Sequence, residues 1–312
     1  MPDTSILVSG EALVDLIPRA ASTFEAVLGG SPFNTAIGLG LLGVRTGFAG
    51  RLSNDSMGEA FEARLTEAGV DMAHVLRSPS PSPLAFVTRG TAATGARYSF
   101  YLGATAYDGP SPLTAAWPDS AAHLHIGSFS AVDGELGRAA LAALTAGANR
   151  ATTSFDPNIR PFVVPPREET LRLVEERVRL ASVVKVSEED LEWLYPDNHP
   201  ADIASHWAGW GPKLLVLTRG VNGADAYFGR ERLQQPAPAI EVVDTVGAGD
   251  SFMSALLAAM VDSDALGPGR TALPSEREVH RWLTYAIAAS AITCTRQGSQ
   301  PPTREDLGKV LD

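Results

Sequence analysis

Short apolar runs and longer segments of helical periodicity alternate along most of the chain. Apolar runs rich in β-branched residues predict buried strands, and they occur at residues 5–9, 46–50, 123–128, 153–156, 183–186 and 214–218. Between them, residues 55–68, 135–148 and 171–181 repeat their apolar positions every three or four residues, which predicts helices. Strand–helix–strand alternation is typical of a parallel sheet, so the pattern predicts an α/β fold.

Residues 84–103 depart from this alternation. Leu84–Thr88 and Arg97–Leu102 have the composition of two strands, and no helical segment separates them. Two strands joined by a turn-rich segment predict a hairpin. We expect this hairpin to form a small antiparallel lid over one edge of the main sheet.

The length and net charge of the chain limit the number of domains and the kinds of binding partner that it is expected to have. The chain has 312 residues, of which 45% are hydrophobic, and a chain of this size buries roughly 75% of its unfolded surface. A single α/β domain with an appendage fits this length best. The formal net charge of −11 gives no indication of a nucleic-acid partner or an anionic membrane surface.

Cysteine usage and the N-terminus indicate the compartment. Cys294 is the only cysteine, which excludes a disulfide within the chain and disfavours a cysteine-based metal site. Residues 1–10 lack the basic region and apolar core of a secretory signal. No apolar run approaches the roughly 20 residues that a membrane span needs. The sequence therefore predicts a soluble, cytoplasmic protein.

An anion-binding turn is predicted at residues 244–250. The β-branched run Ile240–Val243 predicts a strand, and the apolar spacing of residues 252–260 predicts a helix behind it. Gly247 and Gly249 lie between the two. A helix start leaves backbone N–H groups unpaired and adds partial positive charge, and small residues let a phosphate approach the backbone.

Asp250 follows these glycines directly. A carboxylate beside an anion site repels phosphate, so one interpretation is chemical: Asp250 takes a proton from a hydroxyl that attacks the bound phosphorus. The alternative is a carboxylate that only stabilises the first turn of the helix. The local sequence leaves both open.

A second group of polar residues lies near the N-terminus. Asp15 is set among apolar neighbours, where a carboxylate needs partners, either in a salt bridge or turn or among the hydroxyls of a sugar. Ser31 as N-cap and Pro32 at the first helical position predict a helix start. Gly30 and Asn34 would then lie where a polar ligand can meet the backbone.

Two further motifs favour structural interpretations. Residues 38–43 match G-x-G-x-x-G, but a dinucleotide site needs this motif directly after a strand, and here it falls within the predicted helix. Close helix packing is the preferred explanation. His123 and His125 could suggest a metal, but no third ligand lies near them in the sequence. No Walker A motif occurs.

Polar residues also follow two predicted strands, where α/β sheets bind ligands. Asp156 and Asn158 end one strand and either organise the turn or contact a ligand. The run Ser187–Asp190 ends another and predicts a serine N-cap with an acidic first turn.

Several of these motifs together resemble one family. Asp-Thr-Val-Gly-Ala-Gly-Asp at residues 244–250 resembles the C-terminal signature of the ribokinase-like carbohydrate kinases, the phosphofructokinase-B (PfkB) family. Gly29–Asn34 resembles the N-terminal signature. Gly10–Pro18 and Asp156–Pro161 are most similar to fructokinase-like members. The resemblance covers nearly the whole chain.

The resemblance implies a ribokinase-like fold, with a central, mostly parallel sheet flanked by helices on both faces and a small antiparallel β-lid. It implies a single kinase domain over residues 1–312, with lid elements at about residues 12–28 and 84–108. The family's lid closes on the sugar and often forms the dimer contact, so a homodimer through the lid is expected.

The resemblance also assigns roles to individual residues. Asp250 is implied as the catalytic base, and the amides of Gly247, Ala248 and Gly249 as the anion hole. The residues implied to bind the sugar, besides Asp250, are Asp15, Gly30, Asn34, Tyr101 and Arg160. Those implied to bind ATP are Lys185, Ser187, Thr218, Gly220, Gly223 and Gly249.

Two metal sites are implied as well. The family usually has Asn-x-x-Glu where this chain has Ser187 and Asp190. Asp190, or Glu189 in its place, is therefore the expected contact to hydrated Mg²⁺. Asp244 and Val246, together with residues 295–298, are implied as carbonyl ligands of a monovalent cation such as K⁺.

The implied activity is transfer of the γ-phosphate of ATP to a primary hydroxyl of a sugar, with fructose as the leading substrate. Many relatives that act on acid sugars carry arginine where this chain has Leu102, which favours a neutral sugar. The alternatives are 2-keto-3-deoxygluconate, ribose or a nucleoside as substrate, or a sugar-binding sensor that has lost catalysis.

Overall fold

The computed structural model describes residues 5–20, 22–88, 97–113, 121–147, 151–270 and 272–311. The strands in this part of the chain are β1 (Ser5–Ser9), β2 (Leu13–Ala20), β3 (Thr23–Gly29), β4 (Thr46–Ala49), β5 (Arg51–Ser53), β6 (Leu76–Ser78), β7 (Leu84–Thr88), β8 (Arg97–Tyr101), β9 (Ala121–Gly127), β10 (Thr152–Asp156), β11 (Val183–Ser187), β12 (Leu214–Thr218), β13 (Ala224–Phe228) and β14 (Glu231–Gln235).

The helices of the described residues are α1 (Ser31–Leu41), α2 (Ser56–Glu67), α3 (Gly134–Gly147), α4 (Arg167–Leu180), α5 (Glu188–Leu194), α6 (Pro200–Ala208), α7 (Ala248–Asp262), α8 (Glu276–Cys294) and α9 (Arg304–Leu311). Two 3₁₀ turns, Phe129–Ala131 and Gly220–Asn222, follow β9 and β12. The strand–helix alternation predicted from the sequence is confirmed.

Eight strands form the main sheet in the order β14-β13-β12-β11-β10-β9-β1-β4. The six from β12 to β4 are parallel, and β13 and β14 add an antiparallel edge. The parallel strands are buried on both faces, which explains their continuous apolar sequences. Their carboxyl ends meet at one edge, and this edge carries the candidate site.

Alternate residues of each strand face opposite layers of helices. Ile6 and Val8 of β1 belong to a core shared with α1, α7 and α8. Leu7, between them, belongs to a second core that includes residues of α3, α4 and α6. Because the side chains of a strand alternate between its faces, the apolar run of β1 supplies both cores.

A second sheet has the order β3-β2-β7-β8. The pairs β2–β3 and β7–β8 are antiparallel, as the predicted hairpin requires, while the central pair β2–β7 is parallel. The segment predicted to turn between the hairpin strands, residues 89–96, lies outside the described residues. The antiparallel lid hairpin is thus confirmed, and its parallel contact with β2 adds what the sequence pattern did not predict.

The glycine motif at residues 38–43 serves helix packing, as predicted. Gly38 and Gly40 lie within α1. A Cβ at Gly38 would collide with Ser254 of α7, and one at Gly40 with the carbonyl of Ala68. The two glycines therefore let α1 approach its neighbours closely.

Two local predictions were wrong. Residues 240–243 form no strand, and Val242 and Val243 are exposed. The amide of Val243 donates instead to the carbonyl of Cys294 at the end of α8. Ser31 is not the N-cap of α1, because Gly30 takes that position and Ser31 lies inside the helix. No helix in the described part of the chain is both long and apolar enough to cross a membrane.

Candidate active site

Asp250 lies at the centre of the polar residues on the carboxyl edge of the main sheet. It is buried in the first turn of α7. Its Oδ1 accepts a hydrogen bond from the Ser31 hydroxyl at 2.6 Å, and its Oδ2 accepts one from the Asn34 side-chain amide at 2.9 Å. Both donors belong to α1, so the packing of α1 against α7 sets the orientation of the carboxylate.

Burial raises the pKa of Asp250 above its ordinary value. The hydrogen bonds from Ser31 and Asn34 oppose this shift, as do the positive charges of Lys185 and Arg160. These donors and cations favour the ionised form of the carboxyl and so oppose the effect of burial. An ionised, oriented carboxylate is what a general base requires.

The start of α7 has open backbone amides. Gly247 has a left-handed backbone (φ +77°), and no side chain caps the helix. The amide of Ala248 donates to the Thr245 carbonyl at 3.2 Å. Those of Gly247, Gly249 and Asp250 have no acceptor among the described residues. Three open amides at a helix start can bind an anion, and they include the amide of Asp250, whereas that of Ala248, which was predicted to contribute, is already paired.

A buried ion pair adjoins these amides. Lys185 Nζ lies 2.8 Å from Asp156 Oδ2, and a Cβ added to Gly249 would lie 3.4 Å from the same Nζ. Burial alone would lower the pKa of Lys185, but the negative charges of Asp156, Asp190 and Asp250 raise it above the ordinary value. The ammonium group is therefore charged and close to the open amides. Sequence reasoning did not foresee its pairing with Asp156.

Asp15 and Arg160 lie close enough to Asp250 for their charges to interact with it. Burial raises the pKa of Asp15 to about 6, the Arg160 charge opposes the shift, and the Asp250 charge adds to it. Arg160 is fixed by a 2.8 Å hydrogen bond to the Asn158 side chain. Gly30 (φ +106°) approaches the Glu11 carbonyl so closely that a Cβ would lie 2.6 Å from it. The structure thus brings Asp15, Gly30, Asn34, Arg160 and Asp250 together.

Two buried polar residues near this site were missed by sequence reasoning. Burial raises the pKa of Glu11 to about 7, and the hydroxyls of Ser130 and Ser128 oppose the shift. Glu11 Oε2 and the Tyr107 hydroxyl are both buried without a hydrogen-bond partner among the described residues. The only sign of Glu11 in the sequence is its position just after a predicted buried strand. A glutamate at such a position is equally typical of a turn.

Comparisons with known proteins show the family to which the chain belongs. The model of the pfkB family carbohydrate kinases matches residues 3–306. The chain belongs to the pfkB family of carbohydrate kinases. A fructokinase of Rhizobium leguminosarum bv. trifolii is 36% identical over 262 residues, which cover 82% of this chain and 79% of the relative. Fructokinase-1 of Oryza sativa subsp. japonica is 32% identical over 97% of this chain and 96% of its own.

A solved structure shares the whole fold. The fructokinase of Vibrio cholerae O395, determined with fructose, ADP and a calcium ion, matches with a TM-score of 0.82 at 24% identity and covers all of both chains. A double mutant of that enzyme was determined with fructose, ADP and a potassium ion. The ribokinase-like fold predicted from the sequence is confirmed, and the pfkB-family chain is an ATP-dependent sugar kinase.

The predicted ATP residues of this kinase follow β11 and β12. Ser187 and Thr218 are neighbours in register at the carboxyl ends of these two strands. Gly220 (φ +51°) has no atom near the place a Cβ would occupy, whereas a Cβ at Gly223 (φ +87°) would collide with the Gln235 carbonyl. Gly220 therefore leaves space for a ligand, and Gly223 is required by close packing against β14.

Oxygen donors for Mg²⁺ lie at the start of α5. Asp190 is buried, and its two oxygens accept hydrogen bonds from the amides of Ile159 (2.8 Å) and Ser187 (3.3 Å). Glu189 beside it is exposed. No group of three His, Cys, Asp or Glu side chains among the described residues is arranged to hold a metal. These carboxylates suit a magnesium ion bound mainly by water and phosphate oxygens.

The two segments predicted to bind a monovalent cation lie side by side. Asp244 accepts hydrogen bonds from the amides of Val246 (3.1 Å) and Gly298 (2.9 Å). Its carboxylate thus joins residues 244–246 to the loop after α8. Backbone carbonyls are suitable ligands for K⁺, and both segments can supply them.

Tyr101, which was predicted to bind the sugar, does not share a face of the second sheet with Asp15. The register aligns Asp15 with Ala85 and Phe100, whereas Tyr101 is aligned with Leu84. Aligned residues share a face of a sheet, so Phe100 shares the face of Asp15 and Tyr101 lies on the other. Tyr101 is 58% exposed. Phe100 is therefore the better placed aromatic residue to line the sugar pocket.

Proposed function

We propose that this kinase is a fructokinase, which transfers the γ-phosphate of ATP to a primary hydroxyl of D-fructose. One observation carries the proposal: Asp250 is held by Ser31 and Asn34 directly beside three open amides. This arrangement places a base and a phosphate site next to each other. The fructokinases among the relatives support fructose as the sugar.

In the proposed reaction, Asp15, Gly30, Asn34 and Arg160 hold the sugar. The Asp250 carboxylate accepts the proton of the primary hydroxyl while the hydroxyl oxygen forms a bond to the γ-phosphorus. The bond from that phosphorus to the β–γ bridging oxygen breaks, and ADP leaves. A loose transition state needs little activation of the nucleophile, so an ordinary carboxylate suffices.

The charge of the transferring phosphoryl group is balanced by fixed groups of the protein. The amides of Gly247, Gly249 and Asp250 donate to its oxygens, and the Lys185 ammonium lies beside them. Because these donors are oriented before the reaction, they need little reorganisation in the transition state. ATP lies along the turn from Thr218 to Gly223, with the Ser187 hydroxyl near its phosphates.

Mg²⁺, when bound, neutralises phosphate charge, and the residues proposed to contact it through water are Asp190 and Glu189. The carbonyls of Asp244 and Val246, with those of residues 295–298, are proposed to hold K⁺. The juxtaposition of Asp244 and Gly298 supports this second site.

A coupled ADP-release assay tests the function. Mg-ATP is supplied with D-fructose, 2-keto-3-deoxygluconate, ribose or adenosine, each with and without K⁺. We expect fast turnover on fructose and little on the other three. An absence of ADP release with all four substrates would contradict the proposal and favour a sugar-binding sensor.

One observation favours a second substrate, 2-keto-3-deoxygluconate. No carboxylate of the described residues lies within 4 Å of the Arg160 guanidinium, so this cation is available to a substrate carboxylate. Leu102 packs against the core and brings no second cation. Activity on the acid sugar alone would establish this alternative.

The proposal also includes an oligomeric state and a cellular location for the protein. The segments at residues 12–28 and 84–108 are proposed to act as one lid on a single kinase domain, and two lids to form a homodimer. Partly exposed aromatic residues support this contact, since Phe86 lies between Phe24 and Tyr101 with ring centroids 5.4 Å from each. Light scattering of the purified protein tests the dimer. A cytoplasmic location is proposed with it, and cell fractionation tests that.

A further inference from the structure

A row of hydrogen bonds runs across one face of the main sheet beneath α7. The Gly267 amide donates to Thr152 Oγ1 at 2.9 Å. Thr152 Oγ1 lies 2.8 Å from His123 Nδ1, and Ser154 Oγ lies 2.8 Å from both His123 Nε2 and His125 Nδ1. All four side chains are buried. The row therefore connects the loop after α7 to His125, near the carboxyl edge.

The direction of each hydrogen bond follows from the protons available. Burial lowers the pKa of both histidines to about 3, so each ring is neutral and carries one proton. Thr152 already accepts from Gly267, and its own proton has one described acceptor, His123 Nδ1. When Thr152 donates to Nδ1, His123 carries its own proton on Nε2 and donates to Ser154, whereas the opposite direction would leave the Thr152 proton without a described acceptor. Ser154 donates to His125 Nδ1, which leaves the His125 proton on Nε2.

The Nε2–H of His125 borders the active-site ion pair. Asp156 is aligned with Gly127 in the register of β9 and β10, and Gly127 has no side chain to fill the space beside it. A Cβ at Gly127 would lie 3.4 Å from His125 Nε2 and 3.6 Å from Asp156 Cβ. Asp156 Oδ1 is buried without a described partner. Asp156 Oδ1, an acceptor without a described donor, thus borders the same gap as His125 Nε2.

We propose that His125 is a positioning residue for phosphoryl transfer, whose Nε2–H donates across this gap to Asp156 and holds it against Lys185. The inference rests on the proposed kinase function, because Lys185 acts on the phosphoryl group. Ser154 and His123 act one step further away by fixing the tautomer of His125. A donor to Oδ1 favours the ionised form of Asp156, and an ionised Asp156 keeps the ammonium beside Gly249.

The tautomers can be measured without any substrate. Long-range ¹H–¹⁵N spectra of the ¹⁵N-labelled protein distinguish Nδ1–H from Nε2–H rings. The four other histidines, at exposed or half-buried positions, provide reference signals. We expect His123 and His125 to be neutral Nε2–H tautomers throughout the pH range in which the protein is folded. An Nδ1–H tautomer at His125 would overturn the proposal.

Two substitutions separate positioning from a merely structural role. His125→Asn keeps an acceptor near the place of Nδ1, and so keeps the bond from Ser154, but removes the donor at Nε2. His125→Gln keeps a donor near the place of Nε2 and loses the acceptor. Loss of a hydrogen bond to a charged group predicts a kcat lower by about 10- to 100-fold in His125→Asn. We expect His125→Gln to recover most of this loss.

The structural explanation predicts the opposite order, since the asparagine variant retains the bond to Ser154. Equal kcat values for the two variants, or a higher value for His125→Asn, would overturn the proposal. Circular dichroism and thermal unfolding show that both variants are folded at the assay temperature. The wild-type enzyme is assayed first with the four substrates named above, so that a failure of the kinase function is recognised separately from a failure of the role of His125.

Discussion

Two helices, α5 and α7, begin at the same edge of the sheet in opposite ways. At α5, the Ser187 hydroxyl accepts from the Asp190 amide, and Asp190 accepts from the Ser187 amide, which is a complete capping box. At α7, Gly247 is left-handed and no side chain caps the helix. A closed start satisfies its own amides and stabilises the helix. An open start leaves amides for an external anion, and here Asp250 and Lys185 lie beside them.

The difference between the two helix starts predicts that one serves the stability of the protein and the other serves catalysis. If the open start is the phosphoryl site, substitutions at α7 should lower turnover more than they lower stability. Removal of the Ser187 cap of α5 should do the reverse.

Asp250→Ala should have the largest effect. Removing the base lowers turnover by on the order of 10²–10⁴-fold, while the remaining sugar contacts largely preserve fructose binding. Steady-state assays and calorimetric titration with fructose measure the two quantities. Asp250→Asn is the matched control for shape. Turnover near the wild-type value in either variant would contradict the proposed role.

Lys185→Met should follow, with a loss of roughly 10²-fold in kcat because a fixed positive charge beside the phosphoryl group is removed. This variant also leaves Asp156 buried without its partner and should be destabilised. Adding Asp156→Asn removes the uncompensated carboxylate. In the double variant we expect urea unfolding to show recovered stability with turnover still low. Recovered turnover would contradict a direct effect of the ammonium group.

Gly247→Ala tests the shape of the open turn. The new Cβ would collide with Ser299, and a left-handed alanine costs about 1–2 kcal/mol. We expect kcat/KM for ATP to fall on the order of 10-fold as the amides shift. Gly69→Ala is the control, since Gly69 is also left-handed (φ +70°) with open space around it. Equal activity losses in the two variants would show that strain alone explains the effect.

The pH dependence of kcat should show the titration of Asp250. Burial raises the pKa of this carboxyl, and only its ionised form can accept a proton. The ionised fraction falls as the pH falls through this pKa, so kcat should decrease by up to about tenfold per pH unit on the acid side. The residual activity of Asp250→Asn should lack this acid limb. An identical limb in that variant would assign the titration to another group.

Ser187→Ala should have the smallest effect on turnover. Loss of the N-cap costs about 1 kcal/mol of unfolding free energy, and we expect kcat to remain within about twofold of the wild-type value. Thermal unfolding and steady-state kinetics with varied ATP measure both. A rise in the KM for ATP would support the proposed position of this hydroxyl near the phosphates, and a large fall in kcat would contradict the prediction.

Much of the fold could be predicted because its signals are local. The buried strands are continuous apolar runs, and the helix predicted at residues 55–68 is α2, which Asp55 caps. The glycines before Asp250 mark a helix start in the sequence itself. The prediction of a strand at Ile240–Val243 was wrong for the same reason: its β-branched residues favour an extended chain, but no strand among the described residues pairs with it.

The partners of the site could not be predicted because they are distant in sequence. Ser31 and Asp250 are 219 residues apart, and the local context of Ser31 before a proline indicates a helix cap. Asp156 at the end of β10 and Lys185 in the middle of β11 show no sign of an ion pair in the sequence, and only the parallel register places them side by side. Likewise, the register of the second sheet decides between Phe100 and Tyr101, and no periodicity in the sequence specifies it.

A crystal structure of the complex with ADP, Mg²⁺, fructose and aluminium fluoride would test the central claim most directly. We expect the fluoride group, as a mimic of the transferring phosphoryl group, to lie about 3 Å from the amides of Gly247 and Gly249. A primary hydroxyl of fructose should lie between it and the Asp250 carboxylate. A fluoride group bound at the start of α5, or a fructose whose hydroxyls all point away from Asp250, would contradict the account.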